Sequence, residues 1–121
     1  MSNYEAALAT FSSILEELQV THGARRGQVF GQVGLKVGSR VIAVCLTNGH
    51  LSVKLPPEEY AETLKLDGVR PFVPEGTPMT TWIEIPHEYG DQWREYVMKS
   101  LRYIMSQPVP KRTRSKTKGK A

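Results

Sequence analysis

Cys45 is the only thiol nucleophile in this 121-residue chain. It sits inside the apolar run VIAVCL at residues 41–46. A thiolate there would be stripped of water, so its pKa should rise and its reactivity fall. We expect a buried structural cysteine, and a single cysteine also excludes a disulfide within the chain. His22, His50 and His87 lie in three separate stretches. No two have the short spacing of zinc ligands on one helix. A metal site would need the fold to gather them, and loop or edge-strand histidines are the expectation. Gly27, Gly31 and Gly34 resemble a phosphate-binding loop, but such a loop needs a helix start directly after it to aim N–H groups at the anion. A strand-like run follows instead, so bends or bulges in a sheet fit better. The carboxylates gather at helix starts and polar faces. The two aspartates, Asp67 and Asp91, suit turns or caps. These residues offer no nucleophile with a base, no paired carboxylates and no ligand set. The expectation is a protein that is not an enzyme and needs no cofactor or metal.

Two stretches offer binding chemistry. Lys111, Arg112, Arg114, Lys116, Lys118 and Lys120 put six of the sixteen Lys and Arg into ten residues without an acid. Such a segment attracts nucleic acid through its phosphates, without sequence preference. No aromatic residue interrupts it, so it offers no base stacking. It reads equally as a solubilising terminus. The rest of the chain holds ten basic and twelve acidic groups, about −2, so the net charge of +4 belongs to this segment and not to the body. The second stretch is Pro78-Met79 ahead of Trp82. With Lys54 it could wall a groove for a small molecule or peptide. The plainer reading is a loop that packs Trp82 on a helix.

Regular elements must hold these residues. Tyr4, Leu8, Phe11, Leu15 and Leu18 recur every three or four residues, which predicts a helix ending near Val20. Ser2 and Glu5 have the form of a capping box at its start. Residues 22–27 read as a polar loop containing Arg25 and Arg26. Residues 27–55 read as three or four antiparallel strands, with turns at Gly38-Ser39 and at Asn48-Gly49, the latter a hairpin turn of type I′. Residues 41–46 are apolar on both faces and should be the central strand. His50, Ser52 and Lys54 face away from Leu51, Val53 and Leu55. Pro56-Pro57 with Glu58 and Glu59 opens a short helix whose Tyr60, Ala61 and Leu64 turn inward. Residues 69–73 and 80–85 follow as short strands, the second with Trp82 and Glu84 on one face. A last helix runs from about residue 88 to Met105, buries Trp93, Val97, Leu101 and Ile104, and carries a Glu95–Lys99 pair. Pro108 and Pro110 stop it. This order predicts a two-layer α+β domain over residues 1–106, an antiparallel sheet packed by the N- and C-terminal helices. Residues 107–121 read as a disordered basic tail.

Phe30-Gly31, LKVG at 35–38, LSVKLP at 51–56, Arg70-Pro71-Phe72, Pro78-Met79 and WIEIP at 82–86 together resemble the TfoX N-terminal domain family, over about residues 8–105. The YjbR-like family shares the looser elements. The resemblance implies a secretion-chaperone-like α+β fold, often dimeric. It also implies regulation of competence genes together with a transcription activator. No catalytic residue comes with it. Those regulators usually carry a further C-terminal helical domain, and here the basic segment follows instead. A cytoplasmic protein is expected. Its expected partners are a second copy, a transcription factor or, through the tail, nucleic acid. No run approaches a membrane span.

Overall fold

The computed structural model of the chain describes residues 3–29, 31–73 and 81–107. The elements run α1 (Asn3–His22), β1 (Arg25–Val29), β2 (Gln32–Val37), β3 (Arg40–Cys45), β4 (Leu51–Lys54), α2 (Pro57–Thr63), β5 (Arg70–Pro71), β6 (Trp82–Ile85) and α3 (Gly90–Ser106). A 3₁₀ turn at His87–Tyr89 leads into α3. The six strands form one antiparallel sheet in the order β1-β2-β3-β4-β6-β5. The fold is the two-layer α+β architecture expected from the periodicities. Among the described residues no helix is long and apolar enough to cross a membrane.

Cross-strand partners share a face, so the register separates the two faces. Arg26, Leu35, Ala43, Val53, Ile83 and Pro71 form one row across all six strands. Beside it run Gln28, Val33, Cys45, Leu51 and Ile85. Leu35, Ala43, Cys45, Leu51, Val53, Ile83 and Ile85 are fully buried, with Phe11, Leu15 and Leu18 of α1 and Trp93, Val97 and Leu101 of α3 in the same core. Each large side chain so buried contributes about 1.5–3 kcal/mol. The opposite face carries the row Gly27, Gly34, Val44, Ser52, Glu84 and Arg70. Here the two glycines have steric work. The end of Lys36 passes 3.0 Å from where a Gly27 Cβ would stand, and Val29 Cγ2 lies 2.6 Å from the Gly34 Cβ position. The bulge follows at Leu35/Lys36.

Several expectations need correction. Arg25 and Arg26 are not in a loop; they open β1 and pair with Lys36 and Leu35. The turn after β3 is not type I′. Gly49 takes φ +89°, but Asn48 keeps negative φ and its side chain instead accepts a bond from His50 N. The loop is therefore wider, closed by Leu46 N to His50 O and Gly49 N to Leu46 O. In α2, Ala61 faces solvent while Thr63 is buried. Lys99 pairs with Glu59 of α2, not with Glu95. Helix α1 runs two residues past Val20, and Gly23 beyond it takes φ +67°. The capping role of Ser2, the loop 74–78 and the stop at Pro108 and Pro110 lie outside the described residues.

Candidate functional site

Lys54 ends β4 and Trp82 begins β6, and the two are direct cross-strand partners. The register thus brings together the pair that the sequence suggested as a groove lining. Trp82 keeps only 8% of its surface, however, so the indole is mostly packing. Pro78 and Met79 lie outside the described residues, as do Lys111, Arg112, Arg114, Lys116, Lys118 and Lys120.

Two residues along each strand from this pair stand Ser52 and Glu84, also partners. Glu84 is 8% exposed, which corrects the expectation that the carboxylates sit at helix starts and polar faces. Burying a carboxylate is tolerable only with donors around it. Its Oε1 accepts bonds from His50 Nδ1 at 3.0 Å, Arg70 Nε at 3.2 Å and Asn48 Nδ2 at 3.3 Å. His50 is therefore not the free edge histidine that was expected. Because a carboxylate only accepts, Nδ1 of the imidazole carries a proton in this bond. Ser52 Oγ is buried beside this cluster with no hydrogen-bond partner among the described residues. The signal for the cluster was present in the sequence. His50 and Ser52 shared the polar face of one strand, and Glu84 shared a face with Trp82. Which strands would be neighbours was not in the sequence.

His50 and His87 border one hollow of about 500 Å³ between Asn48–His50, Gly68 and Pro86–Glu88. His87 is already occupied: Nε2 lies 2.8 Å from Thr10 Oγ1, and the ring meets Trp93 edge-on at 5.1 Å. The lining includes no serine, cysteine or lysine to serve as a nucleophile for an oriented base. Among the described residues no three His, Cys, Asp or Glu converge as a metal site. The arrangement acts as a strut, tying the β3–β4 turn and β5 to β6.

Cys45 is fully buried, and desolvation pushes its thiol up to about 11, against a small opposing pull from Arg26. At pH 8 only about one thiol in a thousand would be ionised. Ellman's reagent at pH 8 should therefore leave the native chain unmodified and titrate one thiol in guanidinium. Rapid modification of the native chain would contradict the buried assignment.

Charge is segregated within the body. Residues 18–57 contain no Asp or Glu but hold Arg25, Arg26, Lys36, Arg40 and Lys54. No family model and no curated protein matches this chain. Its function must therefore be argued from its own side chains. Among the described residues, none of those five cations forms an ion pair. After residue 57, Lys65, Arg70, Arg94 and Lys99 are each paired with a carboxylate. The Arg94–Glu17 pair ties α3 to α1 and lowers the Glu17 pKa, first through the hydrogen bond.

Proposed function

We propose that the chain is a non-enzymatic regulatory or interaction domain of the TfoX N-terminal kind, with affinity for nucleic acid supplied by its basic segment. The observation that carries this reading is the separation of charge along the chain: six cations without an acid at residues 111–120, behind a body of about −2. A diffuse net charge would only aid solubility. A concentrated run attracts a polyanion, because each cation that neutralises a phosphate releases a condensed counterion. The order of the short motifs across residues 30–86 and the two-layer α+β architecture support the family reading. A second copy and a transcription factor remain the protein partners that this reading implies.

The test is fluorescence anisotropy with a labelled duplex of random sequence, titrated at several salt concentrations. The full chain should bind with a steep salt dependence. Changing Lys111, Arg112, Arg114, Lys116, Lys118 and Lys120 together to Gln should make the slope of log K against log salt shallower by about five, at ~0.9 per contact, and weaken binding at least ~100-fold at 0.1 M salt. Unchanged binding would remove the segment from the interaction. A second reading, a small-molecule- or peptide-binding module, draws on the Lys54–Trp82 pairing. It takes precedence if the full chain binds no duplex.

A further inference from the structure

The sheet places the unpaired cations of residues 18–57 at one end. In an antiparallel meander, the start of an odd strand and the finish of an even strand fall at the same end. Arg25 and Arg26 start β1, Lys36 is next to last in β2, Arg40 starts β3 and Lys54 finishes β4. Glu84 and His50 meet at the other end of β6 and β4, while Glu58 and Glu59 open α2 just past Lys54.

Three of these cations share a face. Arg25 and Lys36 are direct partners, and the Lys36 chain runs over Gly27, on the face of the Gly27–Ser52 row. Lys54 stands two residues beyond Ser52, on that same face. From β1 to β4 the line covers three strand steps of ~4.8 Å, about 15 Å. Arg26 also stands exposed on edge strand β1 but projects from the other face, in the Leu35 row. Two like charges directly opposite each other work against the sheet. The fold nevertheless keeps Arg25 opposite Lys36, with no carboxylate against either among the described residues. The Arg25 guanidinium reaches only a backbone acceptor, Gly38 O at 2.7 Å. The nearest acids downstream, Glu58 and Glu59, open α2, and Glu59 is held by Lys99.

The same end is where the chain leaves the domain. Arg40 donates through Nη1 to Ile104 O in the last turn of α3. Gln107 closes that turn through its bond to Ile104 O. Lys111 follows four residues later, within at most about 14 Å of chain. The basic segment is therefore tethered to the basic end of the sheet.

We propose that this end of the sheet docks the phosphate backbone of a nucleic-acid duplex through Arg25, Lys36 and Lys54, next to the point where the basic segment departs. The occupant follows from charge complementarity. A line of cations without acids or interleaved aromatics suits a continuous polyanion rather than unstacked bases. A duplex presents one charge per ~1.7 Å of axis along the whole line. This inference rests on the nucleic-acid part of the reading above and adds the folded domain to the interface.

The test uses the full chain and the same labelled duplex. Changing Arg25, Lys36 and Lys54 together to Gln should make the salt slope shallower by about three, one per phosphate contact, and weaken binding at least ~10-fold at 0.1 M salt. Lys36→Gln with Lys54→Gln serves as a second variant that leaves the Arg25 bond to Gly38 intact. It should lower the slope by about two. Lys65→Gln, at a cation already paired with Glu62, should change neither quantity. Thermal melts of the variants should match the parent. A salt slope unchanged in both sheet variants, with the tail-neutralised chain impaired, overturns this inference and leaves the segment as the binding element. A full chain that binds no duplex overturns both.

Discussion

Trp93→Ala should destabilise the domain by about 3–5 kcal/mol, the range for removing a fully buried large aromatic side chain. Trp93 is fully buried. It sits in the first turn of α3 and fills the angle between that helix and the turn that follows β6. Its Nε1 donates to Pro86 O at 3.1 Å, and its ring takes the edge of His87. Alanine would remove the apolar contacts, leave a cavity and strip Pro86 O of one of its two donors, Tyr89 N being the other. A domain of this size has about 5–15 kcal/mol in all, so the variant would be marginal at 37 °C. Urea unfolding followed by circular dichroism measures it. Trp93→Phe keeps most of the volume and loses the hydrogen bond, so it should cost about 1–2 kcal/mol. A cost below about 1 kcal/mol for the alanine variant would mean that α3 does not seat on the sheet through this residue.

Ser100→Ala is the second large expected effect, at about 2–4 kcal/mol, although only one oxygen is removed. Ser100 is fully buried in α3. Its hydroxyl donates to Ile42 O at 2.7 Å and accepts from Lys54 N at 3.1 Å. The β3–β4 register runs from Cys45–Leu51 to Ala43–Val53. Just past that point the helix hydroxyl takes over from the ladder and joins the two strands. Alanine would leave a buried acceptor and a donor unpaired, at about 1–3 kcal/mol each. Amide exchange at Lys54 should accelerate with the loss. Ser106→Ala makes the comparison. Ser106 Oγ bonds Tyr103 O at the exposed end of the same helix, so its loss should cost under about 0.5 kcal/mol. Equal effects at both serines would refute the splice. The contact also bears on the proposed docking surface, because it holds the backbone from which Lys54 projects.

Local pattern was enough for much of the fold. The α3 stripe of Trp93, Val97, Leu101 and Ile104 is buried as its spacing predicted, because a 3.6-residue period leaves an amphipathic helix one face to hide. The alternation in Leu51–Lys54 and in Trp82–Ile85 set which side chains share a face. Cys45 in its two-sided apolar run had little option but burial. The misreadings came where local signals were outvoted. Asn48-Gly49 signals a tight hairpin, but Asn48 keeps negative φ and caps His50 N, so the loop opens by extra residues. Arg25 and Arg26 looked like loop residues because they are charged. An edge strand tolerates charge, and pairing with β2 drew them into the sheet.

Charge segregation, the lone buried thiol, the helical stripes and the strand alternation were determined by the sequence itself, since each depends on residues close together in the chain. Only the tertiary structure decided that β4 pairs with β6, and so that Glu84 meets His50, Asn48 and Arg70. Only it decided that five cations spread over thirty positions, Arg25 to Lys54, gather at one end of the sheet beside the exit of the basic segment. Strand order and register are long-range choices set by how the whole apolar surface is best covered, and no short window of sequence contains that competition.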